Sequence, residues 1–325
     1  MSRLIASKAL ALSVGILCIL LAYNHNKSST YQVSGNIYGT YWKLVSTEYI
    51  PDSLRQSIVD ELNRIDFIAS TYKTSSELSL LNQAPTNTKV KISTELYTLL
   101  SFAEKLTTAS NGAYDITLGS SVINAGFGPE INTDVFEPLS TKRFVMTEDM
   151  YVEKFNQFLF DLSSIAKGFA VDQIYNLLIS SDKNNFLFDI GGELILTGSN
   201  HGEPWVVGIQ DPTSYSNQSI INLLSDSFLA VATSGEYRNF AVDERGNKTS
   251  HTLDPQTGQS ISNNILSVTV TSKISSMEAD AWATAMNVMG ADRGLELAEQ
   301  ENISVLYIIN NNDTIKFLKS NNWQH

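Results

Sequence analysis

Two short stretches carry residue types suited to phosphate and metal chemistry. Residues 161–172 include Asp161, Ser163, Ser164, Lys167, Gly168 and Asp172. Apolar Phe155, Phe158, Leu159 and Phe160 precede them and predict a strand, while Ile165, Phe169, Ile174, Leu177 and Leu178 follow at helical spacing. A small polar turn with a lysine thus stands where a strand hands over to a helix, whose free N–H groups and positive dipole end suit phosphate. In the second stretch, residues 277–286, Asp280 and Thr284 are one helical turn apart and share a face. A carboxylate and a hydroxyl, both hard oxygen donors, suit Mg²⁺ better than a softer metal. Taken singly, such a pair is often satisfied by solvent or backbone, and Lys167 reads equally well as a solvated helix-start lysine. Together the two stretches predict a diphosphate held between them.

The elements that would position these residues are legible in outline. Residues 33–46 predict one strand carrying the aromatic pair Tyr41 and Trp42. Residues 54–68 predict a helix, 72–82 a loop and short helix, and 96–108 a helix capped by Ser93 and stopped at Asn111 and Gly112. Gly112, Gly119, Gly126 and Gly128 surround Ala113, Tyr114 and Asp115, marking either a backbone that turns closely around a ligand or a plain surface loop. Residues 132–147 read as a polar surface excursion. Strands are expected over 185–196, broken at Gly191 and Gly192, and over 205–212, 227–233 and 265–272. Residues 250–258 read as a strand end and a Pro/Gly turn, 279–289 as a helix stopped by Gly290, 293–301 as a further helix, and 305–318 as a closing hairpin. Without regular βαβ alternation the class is α+β, with sheets and packed helices.

The 325 residues allow ample core, and with 42% hydrophobic and 17% charged residues the composition is that of a globular protein. A net charge of −12 disfavours nucleic acid as a partner, because a phosphate backbone needs a basic surface. A single cysteine, Cys18, excludes a disulfide framework and a cysteine zinc site, and the four scattered histidines disfavour a multi-histidine metal site. Arg3 and Lys8 precede an apolar run over residues 9–22, and polar residues follow it. This is the layout of an export signal or membrane anchor, which divides the chain into residues 1–30 and a domain over 31–325. Cys18 is a candidate for lipidation, with cleavage after Ala22 or an uncleaved anchor as alternatives.

Several blocks occur in a fixed order: Gly39 and Thr40; residues 112–115; 161–172; 189–193; 233–239; 250–258; and 277–280. In that order they resemble the ApbE family of flavin transferases, over nearly everything from Tyr38 to the C-terminus. The resemblance implies an ApbE, T-fold-like architecture and transfer of the FMN half of FAD to a threonine or serine of a partner protein. It implies Mg²⁺ near Asp280 and Thr284, with an oxygen from the turn at Ser164 to Ala166, and FAD as substrate. Ala113, Tyr114 and Asp115 match the segment at the adenine or ribose end, and His251 matches a histidine linked to activation of the acceptor hydroxyl. Acceptors would be flavoprotein subunits of sodium-pumping or electron-transport complexes, at the periplasmic face of a bacterial inner membrane or in the periplasm. Many members have methionine at the position of Tyr38, and some a second carboxylate at that of Ala283.

In such a reaction a hydroxyl attacks the FMN phosphorus, AMP leaves, and a base must take the proton. His251 is the candidate base, against a structural histidine at a strand end. Asp254 would orient it or cap the Asp254–Pro255 turn. Lys167 would neutralise a phosphate. Gly191 and Gly192 would let backbone approach the ligand, or form a bulge. Tyr38, Asp189, Ser234, Gly235 and Thr252 complete the candidate set, with a turn serine as the alternative for Ser234. Two competing functions use the same residues: an envelope FAD-binding or storage protein, and a Mg²⁺-dependent FAD hydrolase giving FMN and AMP.

Overall fold

The computed structural model describes residues 13–17, 29–129, 143–214, 218–235, 240–242, 248–250, 252–312 and 314–325. In chain order the elements are β1 (Tyr31–Ile37), β2 (Thr40–Ser46), α1 (Asp52–Ala69), α2 (Glu77–Gln83), β3 (Lys89–Lys91), α3 (Thr94–Ala109), α4 (Gly119–Asn124), β4 (Phe144–Met146), β5 (Tyr151–Lys154), α5 (Ala166–Ser180), β6 (Phe186–Ile190), β7 (Glu193–Thr197), β8 (Trp205–Gln210), β9 (Ser219–Ser225), β10 (Leu229–Gly235), β11 (Phe240–Val242), β12 (Lys248–Ser250), β13 (Ile265–Ser272), α6 (Ser276–Met289), α7 (Ala291–Gln300), β14 (Ser304–Asn311) and β15 (Thr314–Lys319). Residues 13–17 are helical. Among the described residues no helix is long and apolar enough to cross a membrane.

An eight-stranded sheet in the order β1-β2-β6-β7-β10-β13-β14-β15 takes strands from both ends of the described chain. Its pairings are antiparallel. Side-chain alternation gives the sheet two apolar faces. Ala230, Ala232, Val268, Val270 and Tyr307 join the core under the helices, with Ala279, Ala283 and Met286 of α6. The intervening Leu229, Val231, Leu306 and Ile308 form a second core with Trp205, Ile209 and Leu223 of the β8–β9 hairpin. The class is therefore α+β, as the sequence predicts.

Three local expectations change. The strand expected over 33–46 is a hairpin: Ile37 pairs with Thr40, and Tyr38 and Gly39 form its two-residue turn with φ of 51° and 73°. Two consecutive positive φ values match the twist of an antiparallel pair. The bulky Tyr38 is held in that conformation by its phenol, which donates to the Leu62 carbonyl at 2.8 Å. Next, the apolar run before Asp161 is not a strand. Its backbone is held by a side-chain amide and a loop instead: Asn82 Oδ1 accepts from Phe160 N at 2.7 Å, and Ile116 O accepts from Asp161 N at 2.8 Å. Phe158 and Phe160 pack edge to face, with ring centroids 4.9 Å apart. Thirdly, β4 lies within the stretch expected to be irregular, pairing with β5; residues 132–142 of that stretch lie outside the described residues.

Helices α5 and α6 meet at Gly168. A Cβ there would lie 2.4 Å from the Ser276 carbonyl oxygen and 2.8 Å from Asp280 Cβ. The same approach lets Gly168 N donate to Asp280 Oδ2 at 2.9 Å. One turn on, Asp172 caps α6 from outside: its carboxylate accepts from Ser275 Oγ at 2.6 Å, Ser276 N at 2.7 Å and Met277 N at 3.0 Å. Ser275 is itself the N-cap, accepting from Glu278 N. Because backbone obstructs the added methyl, Gly168→Ala is expected to destabilise the fold by about 2 kcal/mol. Urea denaturation measures this directly, and an unchanged midpoint would refute the close-contact account.

Candidate active site

The segment preceding α5, the loop after α3 and the face of α6 enclose a cleft with two chambers. The first, about 250 Å³, is lined by Asp280, Thr284, Lys167, Ser164, Ser234, Gly235 and Thr252 among others. Ala113, Leu118, Val122, Leu253 and Val288 give it apolar wall. The second, about 610 Å³, is lined by Tyr38, Gly39, Ile65, Ala69, Tyr72 and Ala166 among others. Asp161, Ser163 and Lys167 belong to both chambers and form their common wall.

The loop after α3 reaches the cleft because Leu159 O accepts from Gly119 N at 2.9 Å and Ile116 O accepts from Asp161 N. This brings Tyr114 beneath the 161–165 turn, where its hydroxyl and Ser164 Oγ are 2.9 Å apart. Burial pushes the Tyr114 phenol well above its ordinary pKa, so it remains protonated. Asp115 lines the first chamber, but its Oδ1 accepts from Thr117 N at 2.8 Å and Thr117 Oγ1 at 2.7 Å, and Oδ2 lies 3.9 Å from buried Arg143. Its carboxylate shapes the loop.

Three charged side chains of the first chamber act on one another. Lys167 Nζ lies 2.6 Å from Glu193 Oε2, with the Glu193 side chain 5% exposed. Burial opposes the lysine's charge, but Glu193, Asp280 and Asp189 together hold its pKa above the ordinary value. Burial raises the Asp280 carboxyl, while Lys167 and the Gly168 amide pull it the other way. Burial, reinforced by Asp280, also pushes Glu193 upward against the pull of Lys167.

The donors fit a hard cation. Gly168 occupies Asp280 Oδ2, leaving Oδ1 without a protein partner among the described residues, as is the Thr284 hydroxyl. No group of three or more His, Cys, Asp or Glu side chains that could hold a metal occurs among the described residues. One carboxylate, hydroxyls and backbone oxygens match Mg²⁺, which keeps water and substrate-phosphate ligands.

The chain's relatives bear on what this cleft does. The sequence model of the ApbE family matches residues 38–307. The chain belongs to the ApbE family. It is 36% identical to an FAD:protein FMN transferase of Vibrio cholerae, over 94% of this chain and 95% of the relative. It is 32% identical to the protein of the same name from Haemophilus influenzae, over 91% and 92%. Its fold resembles the flavin transferase ApbE from Vibrio cholerae with a TM-score of 0.79 and 33% identity, covering 91% of this chain and 99% of that one. The apo flavinyl transferase ApbE of Pseudomonas stutzeri gives 0.78 at 26% identity, covering 91% and 96%.

Within this ApbE chain, most of the residues singled out from sequence meet at the cleft, in one chamber or the other. Gly191 also lines the first chamber, at the tip of the β6–β7 hairpin. Gly191 and Gly192 have φ of 60° and 114°, so they form a two-residue hairpin turn rather than a bulge. Gly192 and Asp189 line neither chamber. Asp189 instead holds that turn, accepting from Gly192 N and from the Tyr41 hydroxyl, each at 2.8 Å. Asp254 also lies outside both chambers; its Oδ1 accepts from Gln256 N at 2.9 Å, which supports the turn-capping alternative. His251 lies outside the described residues. Sequence reasoning overlooked Glu193 and Asn287 as site residues. Glu193 opens an apolar strand, and Asn287 follows Thr284 by three on the same helix; these local signals mark the positions, while their partners Lys167 and Ser234 are set by the fold.

Glu193 supplies a pH test. Its native pKa stands near 7 rather than the ordinary 4.5, so the folded state binds the proton more tightly. Its stabilising contribution is full below about 4.5 and is lost as pH rises through about 7. Wild type should therefore lose on the order of a few degrees of Tm relative to Glu193→Gln across that interval. Parallel melting curves for the two proteins would contradict the assignment.

Proposed function

We infer that this chain is an FAD:protein FMN transferase, moving the FMN moiety of FAD onto a threonine or serine hydroxyl of a target protein and releasing AMP. The observation that carries this reading is a pair of neighbouring chambers that share Asp161, Ser163 and Lys167 as lining residues, beside Asp280 and Thr284. FAD has two flat ring systems of unequal size joined through a diphosphate. The smaller chamber, with its apolar wall near Ala113, suits adenine. The larger one beside Tyr38 suits the flavin, and the diphosphate would cross at Lys167.

Asp280 and Thr284, with an oxygen from the Ser164–Ala166 turn, would hold Mg²⁺. When bound, that ion neutralises diphosphate charge and stabilises the leaving phosphate. Lys167 adds a fixed positive charge, oriented by Glu193. The acceptor hydroxyl attacks the FMN phosphorus, a P–O bond to that phosphorus forms, and the bond to the AMP oxygen breaks. The hydroxyl proton passes to a base, for which we propose His251; its chain neighbour Thr252 lines the first chamber. We further propose that the enzyme works in the bacterial envelope, held by or exported through its N-terminal apolar segment. Flavoprotein subunits of sodium-pumping or electron-transport complexes would be the acceptors. The export-signal layout of residues 1–30 supports the location.

Mass spectrometry of a flavoprotein acceptor incubated with the chain, FAD and Mg²⁺ should show one added FMN on a threonine or serine, with AMP released. Asp280→Ala, or chelation of Mg²⁺, should lower the rate at least about 100-fold, since the leaving charge is then poorly stabilised. Free FMN and AMP with no labelled acceptor would instead identify a hydrolase, and intact bound FAD a storage protein.

A further inference from the structure

Asn287 occupies the face of α6 that carries Asp280 and Thr284, one turn further on. It is 0% exposed. Its Nδ2 donates to Ser234 Oγ at 3.2 Å and to Thr252 Oγ1 at 3.5 Å, and its backbone carbonyl accepts from Asn263 Nδ2 at 3.0 Å. Its Oδ1 is buried with no partner among the described residues. An amide oxygen left in that condition opposes folding. What the amide contributes is therefore sought at its nitrogen.

Ser234 lines the first chamber. A serine hydroxyl carries one hydrogen and two lone pairs. With Asn287 donating to the oxygen, the Ser234 hydrogen turns away from the amide and is available on the chamber side. Asn287 itself lines neither chamber, so it meets the first one only through Ser234 and Thr252. We propose that Asn287 is a positioning residue that fixes Ser234 as a hydrogen-bond donor to an acceptor atom of the adenine-nucleotide half of FAD, either a phosphate oxygen or a ring nitrogen. This rests on the reading of FAD as substrate.

Titration calorimetry of the full chain with Mg²⁺ and FAD, AMP or adenosine tests it. Asn287→Leu and Ser234→Ala should each weaken FAD and AMP about tenfold, and the double variant should be no weaker than about twofold beyond either. Asn287→Asp should be at least as weak as Asn287→Leu, because a carboxylate accepts the Ser234 hydrogen and turns it from the ligand. Loss confined to AMP and FAD assigns the acceptor to a phosphate oxygen; equal loss with adenosine assigns it to the base. The proposal is overturned if Asn287→Leu binds FAD like wild type, or if its effect adds in full to that of Ser234→Ala. Wild type that binds no adenine nucleotide would overturn the FAD reading itself, a separate result from tight wild-type binding that the substitutions leave unchanged.

Discussion

Helices α5 and α6 come together where α5 has no side chain, and the site follows from that contact. Gly168 lets the two backbones approach until its amide reaches the Asp280 carboxylate. That bond fixes one carboxylate oxygen and leaves the other without a protein partner among the described residues. Asp172 ties the start of α6 to the same helix through three hydrogen bonds. A carboxylate of α5 thus does for α6 what an N-cap alone would do less firmly, since it also sets the relative position of the helices. The lysine of one stretch and the Asp/Thr face of the other are held at a fixed separation.

The local electrostatics run against the whole. A chain of net charge −12 places Lys167 among the carboxylates of its cleft. Lys167 is held charged by Glu193, Asp280 and Asp189, and Asp280 keeps one carboxylate oxygen without a protein partner among the described residues. Both carboxylates, Glu193 and Asp280, are shifted by burial first and by their neighbours second, whereas the neighbours of Lys167 outweigh its burial. The same low-dielectric surroundings that raise the carboxylates would strengthen their attraction to Mg²⁺ when it is present.

Two hairpin tips complete the cleft. The Tyr38–Gly39 and Gly191–Gly192 turns belong to β1–β2 and β6–β7, which are neighbours in the sheet through β2 and β6. Thr40 packs against Gly191, where a Cβ would lie 2.9 Å from its side chain. Asp189 accepts hydrogen bonds from both hairpins, from Tyr41 and from Gly192. One tip lines the large chamber and the other the small one, so the sheet order sets their spacing.

The sequence by itself determined the α+β class, most element positions, and the paired stretches around Lys167 and Asp280. These are local properties: helical spacing puts Asp280 and Thr284 on one face whatever surrounds them, and apolar alternation marks strands in any fold. Its errors came where a nonlocal partner decides conformation. The run from Phe155 to Phe160 has strand-forming residues but belongs to no strand among the described residues; the Arg143 carbonyl meets its first amide, and Asn82 with the Ile116 loop holds its end. Tyr38 looks like a strand residue until the Leu62 carbonyl holds it in a turn. Only the tertiary structure assigned Asp189 and Asp254 to their turns and joined Lys167 to Glu193. It also placed Asn287 behind Ser234, 53 residues away in the chain. A carboxylate or amide has the same identity in a turn, an ion pair or a ligand site. Which of these it serves depends on the partner that folding brings within about 3 Å.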